Sequence, residues 1–167
     1  NSRGRKAGWN DKPKPPVQLH RESNLPLRAG VTFIYARVSS KEQALTGLSL
    51  DAQVSRCLRY AAAHGLTLAK EHNSGREGVF IDGGESAYKK VSLDMRGGGS
   101  ALLKAIRPGD HLIVTAPHRL FRNLLAAEAQ MEEWRRIGIS LHFADMNVRT
   151  DTPAGRLMVQ IFGAIAE

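Results

Sequence analysis

The chain has 167 residues, 42% of them hydrophobic, and a formal charge of +8 with a pI near 10.1. That length and composition suit one globular domain; no apolar run approaches the roughly 20 residues needed to span a bilayer, and no secretory h-region is present. The single cysteine, Cys57, excludes an internal disulfide and fits a reducing cytoplasm, while the basic balance points to a polyanionic partner.

Taken in chain order, residues 1–30 carry seven Lys/Arg against two acids, a surplus of +5, and the remaining 137 residues only +3. Pro13, Pro15, Pro16 and Pro26 interrupt this stretch and no apolar period runs through it, so it reads as an extended segment rather than a domain. Two readings stay open for it: a passive solvated extension, the simpler one, or an arm lying along a phosphate backbone.

The folded part begins near Val31. Val31 to Ala36 is a nearly continuous apolar run, the pattern of a buried parallel strand. Ser40 to Gly47 is a polar loop. Ser49 is placed to cap a helix whose apolar stripe is Leu50, Val54, Cys57, Leu58 and Ala61, ended by His64-Gly65. Cys57 falls on that stripe and reads as a core thiol. Leu66 to Ala69 is a strand candidate, and Val79 to Ile81 is another that stops at Asp82. Residues 82–100 are rich in glycine and lysine/arginine and admit two readings, an active-site loop or a solvated linker. A short helix over Ala101 to Ile106 ends at Pro108-Gly109. A strand over Leu112 to Val114 follows, then a helix burying Leu124, Ala127, Met131 and Trp134 that stops at Gly138. Ile139 to Ala144 forms another strand. Thr152 caps a last helix with Pro153 at its first position, and its stripe of Met158, Ile161, Phe162 and Ile165 is still running near the last residue. Strands alternating with helices predict an α/β fold, a mostly parallel central sheet flanked by helices, cut short in its last long helix.

The chemistry gathers first at Ile34-Tyr35-Ala36-Arg37-Val38-Ser39-Ser40. Alternation along a strand puts Tyr35, Arg37 and Ser39 on one face. In open α/β sheets ligands bind beyond the carboxyl ends of the strands. A guanidinium that holds phosphate oxygens beside a hydroxyl that attacks phosphorus suits phosphoryl transfer. A second element, Pro117-His118-Arg119-Leu120-Phe121-Arg122-Asn123, follows the Leu112–Val114 strand. On a helix, Arg119 and Arg122 share a face. No HExxH, Walker A or GxSxG pattern competes, so no metal or other cofactor is expected.

These two elements, in this order, resemble the serine recombinase family, the resolvases and DNA invertases, in its catalytic domain. Residues 35–39 match the nucleophile motif; Gly47 to Gln53 looks like the Ser-Leu-x-x-Gln segment after it. Arg96-Gly97-Gly98-Gly99-Ser100-Ala101-Leu102-Leu103 is a looser match to an Arg-x-Gly-Leu-x-x-Leu element. Gly109-Asp110 and Arg119-Leu120-x-Arg122 match the paired-arginine signature, and Thr150 to Glu167 is similar to the start of the long helix that dimerises and crosses DNA. The resemblance spans residues 31–167.

It implies Ser39 as nucleophile, Arg37, Arg96, Arg119 and Arg122 as phosphate ligands, Gln43 and Gln53 as polar support, and Asp82 as an orienting group. Tyr35 would support the strand end. It further implies a phosphoserine intermediate that lets strands rejoin without ATP or metal, double-stranded DNA as partner, and a homodimer pairing into a tetramer in the full-length protein, with no membrane association and a bacterial or phage setting near the nucleoid. Three departures accompany it. His118 stands where the family places aspartate, so its acid–base chemistry is either retuned or strand exchange is impaired; the alternative function is a recombinase-like DNA-binding or assembly module. Ser86-Ala87 replaces the usual Ser-Gly ahead of Arg96, leaving Lys89 or Lys90 as other candidate cations. The helix-turn-helix that the resemblance leads one to expect lies outside residues 1–167.

Overall fold

A computed structural model describes residues 29–38, 49–83, 92–121 and 124–166. Five strands form one sheet in the order β2-β1-β3-β4-β5. β1 (Thr32–Arg37) lies between β2 (Val79–Asp82) and β3 (His111–Val114), and β4 (Ser140–Phe143) lies beyond β3, all parallel. β5 (Val148–Arg149) closes the edge antiparallel to β4. The mostly parallel sheet expected from the alternation of elements is therefore present, with one antiparallel strand that two residues were too short to announce.

Helices cover both faces. α1 (Leu50–Ala63) packs on the face that carries Ile34, Ala36, Val79 and Ile113, burying Val54, Cys57, Tyr60 and Ala61 there. On the other face Phe33, Tyr35, Phe80, Leu112, Val114, Leu141 and Phe143 meet Leu102 of α2 (Gly97–Ala105) and Ala127, Met131 and Trp134 of α4 (Leu124–Arg136). A short α3 (Pro117–Leu120) follows β3, and α5 (Pro153–Ala166) packs against α4. Among the described residues no helix is long and apolar enough to cross a membrane.

Local chemistry explains most boundaries. The Ser49 hydroxyl accepts from the Ala52 amide at 3.1 Å and starts α1, while Gly65 at φ +64 ends it. Thr152 does the same for α5, accepting from the Gly155 amide at 3.1 Å. Cys57 is fully buried, and burial, with Asp145 nearby, pushes its thiol up to about 12, so it is a core residue and not a nucleophile.

Two expectations shift. Leu66 to Ala69 contributes only a single parallel bridge, Thr32 to Leu68, because the chain turns away after one pairing. The helix expected from Ala101 begins at Gly97, and a 3₁₀ turn over Leu93–Met95 precedes it. Glycine lowers helix propensity, which hid this start; the glycines are there for contact. A Cβ on Gly98 would lie 2.2 Å from the Ile81 carbonyl oxygen, and one on Gly99 2.2 Å from that of Leu93. Within residues 92–100, neither an open loop nor a linker is correct: this is a helix start pressed onto the sheet.

Candidate active site

The chain leaves β1 for β2 through α1 on one face, and leaves β2 for β3 through α2 on the other. Strand order thus reverses between β1 and β3, and their carboxyl ends open a crevice of the kind where α/β sheets bind ligands. Arg37 ends β1, Asp82 ends β2 directly beside it in the pairing register, and Arg119 lies in α3 just past β3.

Three guanidiniums meet there, and Arg37, Arg96 and Arg119 are 6%, 1% and 5% exposed. Arg37 donates through Nε to the Arg119 carbonyl at 3.3 Å and through Nη2 to the His118 carbonyl at 3.2 Å. Arg119 returns a bond from Nη1 to the Arg37 carbonyl at 3.3 Å. Arg96 Nη1 reaches the Tyr35 hydroxyl and the Arg119 carbonyl at 3.3 Å each, and the Leu120 carbonyl at 3.1 Å. These acceptors are neutral oxygens. They fix where each guanidinium sits, and a planar fork held in this way can present its remaining donors to an anion.

Gln53 reaches up from α1 and brackets the end of β1. Its Nε2 donates to the Arg37 carbonyl at 3.1 Å and its Oε1 accepts from the Arg37 amide at 3.4 Å, with the side chain 1% exposed. Asp82 ties the far side together. Its carboxylate accepts from the amides of Gly98 and Gly99 at 2.8 and 2.9 Å, anchoring the positive end of α2, and from the Tyr35 hydroxyl at 2.8 Å. Tyr35 is thus more than strand support. Its hydroxyl joins Asp82 to Arg96, and burial, followed by the Asp82 charge, raises its pKa well above the ordinary phenol. Strand alternation put Tyr35 on the site face; nothing in sequence spacing pointed to Arg96 as its partner, 61 residues away.

The structure therefore brings Arg37, Gln53, Asp82, Arg96 and Arg119 together. Ser39, Gln43 and Arg122 lie outside the described residues, as do Lys89 and Lys90. α3 ends at Leu120, and Phe121 after it is extended (φ −111, ψ 143); whether Arg119 and Arg122 share a face lies outside the described residues. His118 is exposed, and its carbonyl accepts from Arg37 Nη2. Among the described residues no group of three or more His, Cys, Asp or Glu is placed to hold a metal.

The family model for the resolvase N-terminal domain matches residues 32–167. The chain belongs to this family. A putative DNA recombinase of Bacillus subtilis (strain 168) is 29% identical over 134 residues, which is 80% of this chain and 24% of that protein. The chain thus spans about a quarter of that relative's length. The N-terminal catalytic domain of TP901-1 integrase shares the fold at a TM-score of 0.58 and 23% identity, over 80% of this chain and 92% of that one. A resolvase family site-specific recombinase from Streptococcus pneumoniae does so at 0.51 and 20%, over 82% and 85%. At those identities the two structures speak for the fold, which is the resolvase catalytic-domain fold.

Proposed function

We propose that residues 31–167 are the catalytic domain of a serine-type site-specific DNA recombinase, with residues 1–30 a basic extension beside it. The observation that carries the reading is the convergence of Arg37, Arg96 and Arg119 at the strand-order reversal, with Arg37 two residues before Ser39 in the chain. In this reading a DNA phosphate enters the crevice and its equatorial oxygens are held by the guanidiniums. The Ser39 hydroxyl gives up its proton as its oxygen bonds to phosphorus and the bond to the leaving deoxyribose oxygen breaks, and that oxygen takes up a proton in turn. The phosphoserine link keeps the energy of the phosphodiester, so attack by a new deoxyribose hydroxyl restores DNA and releases the serine. Preorganised positive charge lowers such a barrier. Gln53 and Asp82 hold Arg37 and Arg96 in place and need not touch DNA. Two copies on each crossover site, four in the paired complex, complete the proposal.

The deciding experiment traps the covalent intermediate. A protein carrying this domain is incubated with nicked suicide duplexes, and the DNA-linked peptide is mapped by mass spectrometry. The link is expected on Ser39 and is expected to persist in Ser40→Ala. A link to any other residue would falsify the nucleophile assignment.

His118 is proposed as the group that protonates the leaving oxygen, because it is an exposed imidazole next to Arg119 whose backbone carbonyl is bonded to Arg37. Cleavage by the unsubstituted protein is then expected to slow as rising pH removes the imidazole proton. His118→Ala should remove that limb and lower the rate about 100-fold. Superimposable pH–rate profiles for the two proteins would take His118 out of the chemistry.

A further inference from the structure

On the opposite side of the sheet from α2 and α4, and away from the arginine crevice, three aromatic groups are hydrogen-bonded in a row. The Tyr60 hydroxyl of α1 lies 3.2 Å from Nδ1 of His142 in β4, and Nε2 of His142 lies 3.0 Å from Nδ1 of His111 at the start of β3. Tyr60 and His142 are 8% and 1% exposed, and His111 is half-buried. The rings meet edge-on, with centroids 5.6 Å apart for Tyr60 and His142 and 5.2 Å for His111 and His142. None of these three residues belongs to the proposed chemistry.

The row has one natural direction. A phenol is the better donor, so Tyr60 gives its proton to Nδ1 of His142. That leaves His142 with its proton on Nε2, which it donates to Nδ1 of His111. A proton added at His111 Nδ1 would face the His142 Nε2–H at 3.0 Å, donor against donor. The conflict has two outcomes: every bond in the row inverts, turning the buried Tyr60 hydroxyl hydrogen away from its only acceptor in the row, or the row parts.

The charged surroundings weigh against the inverted, protonated row. From β5, Arg149 pairs in register with His142 and repels added positive charge. Asp151, in the turn after β5, attracts it, but its carboxylate is already held by Arg149 Nε and Nη2 at 3.1 and 2.7 Å and by the Ser140 hydroxyl at 2.9 Å. Asp110, ahead of β3, is committed to the amides of Val31 and Arg107 at 3.0 and 2.8 Å. From α1, His64 stacks on Tyr60 at 4.0 Å and adds a further positive charge when protonated.

We propose that Tyr60, His142 and His111 form an acid-opened latch, closed while both imidazoles are neutral, whose opening loosens the β4–β5 edge and the Asp151–Thr152 turn that leads into α5. The mechanical link is direct. His142 pairs with Arg149; Arg149 holds Asp151; the Arg149 carbonyl accepts the Thr152 hydroxyl at 2.8 Å, and Thr152 caps α5. As pH falls below neutrality the open form, which binds protons, gains on the closed one, and the setting of α5 weakens by way of that open fraction.

Burial first, then His111 and Arg149, lowers His142 to about 3, and burial lowers His111 as well. The unfolded chain thus binds more protons than the folded one. The stability of the neutral pair is fully present above the free imidazole value of about 6.5 and is lost as pH falls below it toward 3.

The test uses the whole chain. Between about pH 7.5 and about pH 5 the melting temperature is expected to fall by roughly 8 °C. Protection factors of the amides in β5 and the first turn of α5, referred to the intrinsic exchange rate at each pH, should fall over the same range, ahead of those in α2. In His111→Gln, whose amide oxygen still accepts from His142 but takes no proton, the fall in melting temperature should be about half as steep. An unchanged slope in that variant overturns the latch, as does a loss of protection spread evenly over the domain. Should the variant not fold, NMR of the imidazole nitrogens in the unsubstituted chain decides: a proton on Nε2 of His142 at neutral pH that persists to about pH 5 supports the latch, and one on Nδ1, or titration of His142 near 6.5, overturns it.

Discussion

Arg96→Lys is expected to lower the yield of the covalent DNA intermediate by about 1,000-fold while the protein still folds, with a melting temperature reduced by roughly 8 °C. The reason is geometric rather than one of charge. Arg96 is 1% exposed, and its guanidinium spans three acceptors on two elements: the Tyr35 hydroxyl on β1 and the carbonyls of Arg119 and Leu120 at the end of α3. A lysine ammonium keeps the positive charge but presents it at one point, so it cannot reach β1 and α3 together from the foot of α2. The Arg119 carbonyl would still be held by Arg37 Nε, but the Leu120 carbonyl loses the Arg96 donor. A buried acceptor left without its donor costs about 1–3 kcal/mol, and a desolvated ammonium adds to that. Arg96→Met separates the two effects. Without a buried charge it should recover part of the lost melting temperature and none of the cleavage. Full cleavage in Arg96→Lys would show that this side chain braces the fold and takes no part at phosphorus.

The fate of the individual elements shows what a sequence of this kind makes legible. β1 and α1 were readable to within a residue or two because a continuous apolar run and a capped amphipathic stripe each have one packing solution. The pairing of Arg37 with Arg119 was readable as a coincidence of motifs at two strand ends, since parallel strands that neighbour each other bring those ends together. Arg96 was harder. Its contacts depend on how α2 docks, and the three glycines that permit that docking lower helix propensity and so resemble a loop. Tyr35 was placed on the correct face, but a strand pattern does not reveal what a hydroxyl meets across the sheet. β5 escaped notice because two residues carry no period. The His111–His142–Tyr60 row was invisible for the same reason as most buried polar networks. Its members come from three elements, 31 and 82 residues apart, and only the sheet register aligns them.

Gly98→Ala is expected to destabilise the domain by about 4 kcal/mol and to lower the melting temperature by roughly 12 °C, whereas Gly97→Ala, one residue earlier on the same helix, should be neutral or slightly stabilising. The added methyl at 98 would lie 2.2 Å from the Ile81 carbonyl oxygen and 2.8 Å from its carbon, inside any tolerable contact. Neither partner can give way cheaply. Ile81 is in β2 and its carbonyl also accepts from the Asn73 side chain at 3.0 Å, while the Gly98 amide is held by Asp82 at 2.8 Å. At 97 the same methyl would meet only the Asp82 carboxylate, at 3.9 Å, an ordinary contact, and alanine improves the helix. The displacement forced at 98 does not stay local. Pushing the first turn of α2 off β2 breaks the Asp82 bonds to the Gly98 and Gly99 amides and moves Arg96, the residue that caps this helix, away from Tyr35 and the α3 carbonyls. Gly98→Ala should therefore lose cleavage even at temperatures where it remains folded, by a factor approaching that of Arg96→Lys. Thermal melts alongside intermediate trapping on the two alanine variants measure both effects. If Gly98→Ala melts with Gly97→Ala, the close approach of α2 to β2 is not what holds Arg96 in the crevice.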